Sequence, residues 1–443
     1  MRIICIFLLL NLNPAFGQLQ FNASEVTTPE NKPELYTGVV VENYKNGSPK
    51  LWREEKDSKA DGLWKEWYPN GTLRYRAWWK NGLGHGKWEY FYPNGQLRSE
   101  SFYIQDIAQG LYLSYHENGQ LAQQSVYLNG QLDGLYYEYD VNGIPLSRKR
   151  YREGVRLIDE PVLFQPGIIA TETANEWDIT FTPDGNTAYF TRRLTDGSAQ
   201  KIYQSTKNDQ GQWVEPKIAS FSTDRDEGGF ISPDGQYFFF ASCRPVAGKQ
   251  AENSLDMNIW MMTRTTQGWS MPMPLSEGIN QRRLADDDWP THYEAGPSID
   301  KAGKLFYWTR STTAPVSNLF QSQMKPDGEF SNSKELLPPS HNNGFDSSPY
   351  IAPSGDLLFF TSSNREESFG QEDLYYSRFL RGQWTEPKNL GPTVNSNFNE
   401  SAPRFSPDGK YLFFTSDRAD QVDPTGERLW SIYYMETQFL SLD

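Results

Sequence analysis

Five carboxylates recur at one position of a repeated pattern in the second part of the sequence. Each stands five residues before the Phe or Ile that ends an apolar segment: Glu176, Asp226, Glu294, Asp346 and Glu400. If the repeated units are arranged around an axis, these groups form a ring at one mouth of the central channel. Such a ring would offer a hard cation such as calcium several oxygen ligands, or would accept hydrogen bonds from glycan hydroxyls. We therefore treat the five as a candidate ligand or cation ring.

The same carboxylates also have a structural interpretation. Each unit carries an arginine after its second apolar segment: Arg192 or Arg193, Arg244, Arg310, Arg365 and Arg418. A repeated acid with a repeated arginine is the pattern expected of bidentate pairing within or between units. The sequence leaves both roles open, and one carboxylate can fill both.

A second candidate is the insertion between residues 279 and 294, which breaks the repeat. Asp286, Asp287, Asp288 and His292 lie in it. Loops that interrupt a repeat often carry binding sites, and these side chains can hold a metal or act as a general acid and base. The alternative is a solvated charged loop.

An enzyme would need carboxylates that break the symmetry of the channel. Asp178, Glu227 and Glu294, together with Asp286 to Asp288, are the candidates for a glycosidase or lyase site. The four histidines, His85, His116, His292 and His341, lack the spacing of zinc ligands, so we expect no zinc. The sequence has no His-Glu-x-x-His, no Gly-x-Ser-x-Gly and no phosphate-binding loop.

The elements that must position these residues are predicted from five hairpins. Ser406-Pro-Asp-Gly409 lies between an alternating apolar segment and a Tyr/Phe/Thr strand, and related turns occur near Gly185, Gly235, Gly303 and Gly355. The spacing suits a four-stranded blade, with a third strand at Asn258-Ile-Trp260 and its equivalents and a fourth near Trp213, Trp269, Phe330 and Trp384. The last unit lacks its fourth strand, and the segment at Glu160-Pro161 is predicted to supply it, closing a five-bladed propeller.

A different repeat occupies residues 37–156. Gly38, Gly62, Gly86, Gly110 and Gly134 are spaced by a constant 24 residues, as are Asn-Gly pairs beginning at Asn46, Asn70, Asn94, Asn118 and Asn142. Asn-Gly between aromatic strands predicts a type I′ hairpin. One unit is too small to bury its apolar face, so neighbouring hairpins must join into an extended sheet. Tryptophans such as Trp64, Trp67, Trp78, Trp79 and Trp88 could stack on sugars or on a partner, but their alternation along the strands favours packing on one another.

Two resemblances follow from these motifs. Gly86-Lys-Trp-Glu-Tyr-Phe-Tyr-Pro-Asn-Gly95 resembles the MORN-variant repeat of YwqK-type proteins, which implies a hairpin ribbon used in protein or surface contact. Ser-Pro-Asp-Gly-Lys followed by Phe-Thr-Ser-x-Arg resembles the WD-repeat-like (PD40-type) blade of TolB-like propellers. That resemblance implies an extracytoplasmic binding or scaffold module in the cell envelope.

Composition fits an all-β chain: 443 residues, 15% aromatic, with 35 Gly and 28 Pro. Met1-Arg2, the apolar run to Leu12 and Ala15-Phe-Gly17 predict a signal peptide over residues 1–17, followed by a mobile leader over 18–36. Cys5 lies in that signal, so Cys243 stands alone in the mature chain and is interpreted as a buried apolar residue. The net charge of -14 is concentrated in residues 157–443, which disfavours nucleic acid as a partner.

The sequence therefore predicts an all-β protein with hairpin repeats over residues 37–156 and a TolB-like β-propeller over 157–443. We expect a periplasmic or secreted binding or scaffold protein without catalytic residues, whose partner is a protein or an envelope glycan. The alternative is a carbohydrate-active enzyme with an acidic funnel site. No cofactor is expected apart from calcium, and no membrane-spanning segment is expected after signal cleavage.

Overall fold

Short strands joined by tight turns make up nearly all of the described chain. A computed structural model describes residues 35–246, 256–281, 293–310, 316–336, 344–419 and 421–442. The chain divides into two units between Val155 and Arg156. Within the described residues no helix is long and apolar enough to cross a membrane.

In the first unit, strands within the described residues form one antiparallel sheet of thirteen strands in chain order, except that the two-residue strands β7 and β10 pair only with β6 and β9, so that β6 pairs with β8 and β9 with β11. They are β1 (Gly38–Asn43), β2 (Pro49–Lys56), β3 (Lys59–Trp67), β4 (Leu73–Lys80), β5 (Leu83–Phe91), β6 (Leu97–Ile104), β7 (Ile107–Ala108), β8 (Gly110–Tyr115), β9 (Leu121–Leu128), β10 (Gln131–Leu132), β11 (Gly134–Tyr139), β12 (Pro145–Arg152) and β13 (Val155–Leu157). The 24-residue period thus corresponds to one hairpin, as predicted.

The turn type was predicted wrongly. At the Asn-Gly pairs only the glycine has a positive φ, for example 89° at Gly95, and Gly95 N–H donates to the carbonyl of Tyr92 at 2.9 Å. This is a type I turn followed by a left-handed glycine, so each loop has three residues. Two consecutive left-handed residues occur instead between the hairpins, as at Asn81 and Gly82, where φ is 51° and 81°.

Aromatic side chains line one face of this sheet, where glycines leave room for them. Gly86 lies opposite Tyr103 in the β5–β6 register. The rings of Trp64, Trp79 and Trp88 follow one another, with centroids 5.4 and 5.0 Å apart, and Trp88 continues to Tyr103 at 4.6 Å. The tryptophans therefore pack on one another, as their alternation predicts.

Polar side chains tie each hairpin to the next. The Tyr68 hydroxyl donates to the Phe91 carbonyl at 2.8 Å, and Tyr92 makes the same bond to Tyr115 one repeat later at 2.9 Å. Asn94 Nδ2 donates to the Glu117 carbonyl at 3.0 Å. These bonds join positions 23 residues apart, so the repeat is held by contacts between nearest neighbours.

The second unit is a five-bladed propeller. Its blades, as far as the chain is described, are β15 (Ala174–Phe181), β16 (Thr187–Leu194), β17 (Lys201–Thr206) and β18 (Lys217–Ile218); β19 (Asp226–Ile231), β20 (Tyr237–Ser242), β21 (Asn258–Thr265), β22 (Gly268–Trp269) and β23 (Met273–Pro274); β24 (Ala295–Ile299), β25 (Lys304–Arg310), β26 (Ser317–Gln323) and β27 (Lys334–Glu335); β28 (Asp346–Ile351), β29 (Leu357–Ser363), β30 (Glu372–Leu380), β31 (Gln383–Trp384) and β32 (Lys388–Asn389); and β33 (Glu400–Phe405), β34 (Tyr411–Ser416), β35 (Ser431–Glu436) with β14 (Val162–Leu163). A 3-10 turn spans Thr437–Phe439.

The propeller closes as the sequence predicts. Val162 pairs with Tyr434 and Leu163 with Tyr433, so β14 becomes the outer strand of the last blade. Phe164 follows β14 and is buried among aromatic side chains, with its ring 5.0 Å from that of Phe413. In the first, second and fourth blades the outer strand begins just after the proline of the Trp-x-x-Pro segment. Trp269 and Trp384 lie in the short strands β22 and β31, and Trp213 forms an isolated bridge with Lys207.

Each innermost strand carries a β-bulge at the same place. In β15 the register shifts by one residue between Trp177 and Thr180, and the other four innermost strands repeat this shift. The bulged residue has a positive φ in every blade: Asp178 (55°), Gly228 (66°), Gly296 (60°), Ser348 (48°) and Ala402 (52°). In four of the five blades the bulge turns two consecutive residues toward the propeller axis, and in the second blade Glu227 faces it, which decides the lining of the channel.

Candidate ligand site in the propeller funnel

The five repeated carboxylates lie at the inner edge of the blades and are fully buried. Four accept hydrogen bonds from arginines: Arg192 to Glu176 at 3.1 Å, Arg244 to Asp226 at 3.0 Å, Arg365 to Asp346 at 3.0 Å and Arg418 to Glu400 at 2.9 Å. Each of these guanidinium groups also lies over two aromatic rings of its own blade, as Arg418 does over Phe414 and Tyr433. We call these four pairs the arginine clasps.

The clasps account for the burial of four charges, because each carboxylate gains a charge-assisted partner. Burial raises the pKa of Glu176 to about 7, while the Thr171 hydroxyl and Arg192 act to lower it. None of the five carboxylates is among the residues that line the central pocket. Among the described residues no group of three His, Cys, Asp or Glu side chains is placed to hold a metal ion.

The third blade departs from this pattern. Glu294 lies beside Thr309, whose hydroxyl donates to Glu294 Oε1 at 3.4 Å. Arg310 is one residue further along β25, so strand alternation sends its side chain to the opposite side. Arg310 was expected to pair with Glu294; it lines the central pocket instead, as does Arg193 of the first blade.

The central pocket, which we call the funnel, has a volume of about 360 Å³ and is lined by residues of all five blades. Three carboxylates and two arginines line it: Asp178, Glu227, Glu372, Arg193 and Arg310. Four aromatic side chains lie between them: Trp177, Trp308, Phe345 and Trp430. Small polar side chains, including Ser347, Ser348 and Ser401, complete the lining. The funnel is therefore amphipathic, with charges of both signs.

Among the residues at the bulge position of the five blades, Asp178 differs most from the others. The other blades place Gly, Gly, Ser and Ala there, whereas Asp178 is buried beside the guanidinium of Arg404, with Nη2 3.4 Å from Oδ1. Burial raises the pKa of Asp178 to about 6; Arg404 lowers it and Glu227 raises it. A carboxyl with such a pKa exchanges a proton close to neutral pH.

Arg404 is buried next to Asp178. It is 1% exposed, and its guanidinium lies 5.8 Å from the ring of Phe230 and donates to the Pro403 carbonyl at 2.8 Å. The Tyr350 ring packs against Phe230 with centroids 6.2 Å apart. Thr180 and Ser298 occupy the equivalent positions of the remaining blades. The buried guanidinium of Arg404 thus contacts both Asp178 and the ring of Phe230.

Glu227 is held from two sides. The Tyr293 hydroxyl donates to Glu227 Oε1 at 2.7 Å, and Gln200 Nε2 donates to Oε2 at 2.7 Å. Tyr293 in turn stacks on Trp308 with ring centroids 5.3 Å apart. Burial raises the pKa of Tyr293 well above its ordinary value, so its hydroxyl remains a donor at neutral pH.

The sequence-predicted residues divide between three places. Glu176, Asp226, Glu294, Asp346 and Glu400 lie in the blades, whereas Asp178 and Glu227 lie in the funnel. Asp286, Asp287, Asp288 and His292 lie outside the described residues. Sequence reasoning missed Arg404, Glu372 and Trp308, although Arg404 differs from Thr, Phe, Ser and Tyr at its repeat position and was visible in the alignment of the five units. Burial also raises the pKa of Glu372, with Asp417 adding to the rise.

Comparisons with known proteins bear on both units. Residues 60–81, 84–105 and 108–129 match the MORN repeat variant family. A search of curated proteins gave no match. Solved structures similar to this chain include TolB from Acinetobacter baumannii, at 16% identity and a TM-score of 0.33, covering 73% of this chain and 60% of TolB.

Arabinanases are also among the similar structures. Native Bacillus subtilis arabinanase Arb43A is 12% identical with a TM-score of 0.37, covering 60% of this chain and 96% of that enzyme. The GH43 endo-arabinanase from Bacillus licheniformis is 13% identical with a TM-score of 0.39, covering 61% and 95%. This chain thus spans 60% of the length of TolB and nearly all of either arabinanase. The chain combines a segment over residues 60–129 that matches the MORN repeat variant family with a five-bladed propeller.

Proposed function

We propose that this protein is a non-enzymatic binding protein of the periplasm or the extracellular space, in which the funnel holds a saccharide unit of an envelope glycan. The signal-peptide pattern of residues 1–17 and the resemblance of the Ser-Pro-Asp-Gly hairpins to TolB-like blades support this location. The hairpin sheet then serves as a contact surface for a protein partner. Protein sequencing of the exported form tests the cleavage after Gly17.

One observation carries the proposal: side chains that differ from blade to blade are concentrated in the funnel. Elsewhere the blades repeat the same hairpins and aromatic strands, and four of the five repeat the clasp, as expected of residues that serve folding. Within the funnel, Trp177 and Glu227 occupy one repeat position that holds Ala or Ser in the other blades. Aromatic faces beside carboxylates suit a sugar, whose C–H face packs on a ring while its hydroxyls donate to the acids.

The test is binding of the mature full-length protein to an array of envelope and plant glycans. Glu227→Gln preserves the shape of the side chain and removes an acceptor charge, so we expect loss of the glycan signal. Glu215→Gln, on the exposed side of the first blade, serves as the matched control and should bind as the wild type does. Retention of binding by Glu227→Gln would place the site outside the funnel.

Calcium dependence is tested on the same array. The proposal that a cation assists binding requires loss of the signal in chelator and its return with calcium. A variant with Asp286, Asp287 and Asp288 changed to Ala then asks whether the insertion supplies the ligands. An identical signal with chelator and with calcium would remove the cation from the proposal.

A carbohydrate-active enzyme is the second candidate, favoured by the pair of carboxylates Asp178 and Glu227. Their environments differ, since Asp178 is buried with a pKa raised to about 6 whereas Glu227 accepts hydrogen bonds from two side chains. Carboxyls with different environments in one pocket are the requirement for acid and base roles in glycoside hydrolysis. Release of new reducing ends from a bound glycan, lost in Asp178→Asn, would establish this activity.

A further inference from the structure

We propose that the funnel selects acidic saccharides, with Arg310 receiving the carboxylate of a uronic-acid unit and Asp178 and Glu227 accepting hydrogen bonds from its hydroxyls. This inference rests on the proposed saccharide binding and adds the class of sugar. It starts from the arginine that the third blade does not use in a clasp.

The strand register explains why Arg310 faces the ligand. In β16 the clasp residue Arg192 is followed by Arg193, and in β25 the equivalent pair is Thr309 and Arg310. At the position of Arg193 and Arg310 the other blades carry Cys243, Ser363 and Asp417. The first and third blades therefore direct a guanidinium into the funnel, on the side opposite to the clasps.

Arg310 is held in place before any ligand arrives. Its guanidinium carbon lies 5.4 Å from the centroid of the Phe345 ring, which also lines the funnel. Its Nε is buried and has no hydrogen-bond partner among the described residues. A guanidinium stays charged at any ordinary pH and presents a planar fork of donors that matches a carboxylate. An anionic group in the funnel can pair with the charged guanidinium that lines it, which a neutral hydroxyl does less well.

The funnel carboxylates do not bar an anionic sugar. Asp178 is offset by Arg404 at 3.4 Å, and Glu227 already accepts hydrogen bonds from Tyr293 and Gln200. Each carboxylate has further lone pairs, so both can also accept from sugar hydroxyls. Trp308 borders the same pocket as Arg310 and offers a ring face for the sugar C–H groups.

The experiment measures calorimetric affinities of the mature full-length protein for matched trisaccharides. The probes are the trimers of galacturonate, glucuronate and mannuronate, each beside its neutral hexose counterpart. We expect at least one acidic trimer to bind about tenfold or more tightly than its neutral partner, as one charge-assisted hydrogen-bond pair allows.

Variants then locate the selection. Arg310→Gln should reduce the ratio of acidic-trimer to neutral-trimer affinity to about one, whatever its effect on neutral binding, and Arg310→Lys should keep part of the ratio because the charge remains without the fork. Arg264→Gln is the matched control, since Arg264 also lies over an aromatic ring, 5.1 Å from that of Trp269, but outside the funnel. It should leave both affinities unchanged.

Two results would overturn the inference in different ways. Neutral trimers that bind as tightly as acidic ones, or an acidic preference that survives in Arg310→Gln, would remove the role of Arg310 and leave saccharide binding standing. If none of the six trimers bound and no glycan on the array gave a binding signal, the proposed saccharide-binding function itself would be refuted.

Discussion

The burial of Asp178 gives the propeller a pH dependence opposite to that of an ordinary salt bridge, because burial raises the pKa of this carboxyl more than Arg404 lowers it. Burial raises the pKa of Asp178 from 3.8 to about 6. A rise of about two pKa units corresponds to about 3 kcal/mol at about 1.4 kcal/mol per unit. Because the folded protein holds the proton more tightly, this stability is fully present below the unfolded pKa of 3.8 and is lost as the pH rises through about 6.

The perturbation is Asp178→Asn, which keeps the shape and removes the titration. The free energy of unfolding of wild type minus that of the variant should fall by about 3 kcal/mol between about pH 4 and pH 7.5. Urea titrations followed by tryptophan emission measure it, and hydrogen exchange of propeller peptides identifies the unit that unfolds. The raised pKa of Glu176 affects both proteins and cancels in the difference.

Asp184→Asn is the control with the opposite sign. Hydrogen bonds from the Thr182 hydroxyl and the Asn186 amide lower the pKa of Asp184 in the first propeller hairpin. Its stabilisation is therefore present above the unfolded pKa and is lost as the pH falls through the folded one. The reasoning about the buried pair would be refuted if, for Asp178→Asn, the free energy of unfolding of wild type minus that of the variant did not change with pH. It would also be refuted if that quantity rose with pH, as it should for Asp184→Asn.

Three further outcomes follow from the packing. Gly228→Ala should destabilise the propeller by about 1–2 kcal/mol because φ is 66°, and Gly296→Ala should cost more, since its new Cβ would lie 2.9 Å from Cδ1 of Trp308; urea midpoints compare them, and equal costs would contradict the clash. Phe164→Ala should cost about 3–5 kcal/mol by the same assay, because a buried ring that closes the last blade is lost; a cost below about 1 kcal/mol would show that β14 contributes little. Burial raises the pKa of Cys243 to about 12, so iodoacetamide at pH 8 should label the native protein far more slowly than the urea-unfolded one.

Local signals in the sequence were sufficient to predict the hairpin repeats and the propeller blades. A constant spacing of glycine and Asn-Gly fixes the hairpin length, and the Pro-Asp-Gly turns mark the paired strands. The same signals did not give the turn type in the first unit, because Asn in Asn-Gly suits both a left-handed and a right-handed conformation. The hydrogen bond from Asn94 to the neighbouring hairpin explains why Asn is kept where its φ is not left-handed.

The funnel was predicted only in part, because its lining depends on a shift of one residue. Plain alternation along β15 would place Glu176, Asp178 and Thr180 on one face, yet the bulge turns both Trp177 and Asp178 toward the axis. Because successive residues of β16 point to opposite sides of the sheet, Arg192 lies in a clasp while Arg193 faces the funnel. A bulge has no strong sequence signal where Asp, Ser or Ala occupies the left-handed position.

The closure of the last blade also sets the order in which the protein can fold. Ile158 N–H donates to the side chain of Glu436, which lies 278 positions later in the sequence, whereas the hairpin unit joins positions only 23 apart. Contacts of short sequence separation form early and those of long separation form late. The hairpin unit can therefore complete its sheet before the propeller does, and the ring closes only once β14 and β35 are both available. Until then the unpaired edges of β14 and β34 are the part of the chain most in need of protection against misassembly.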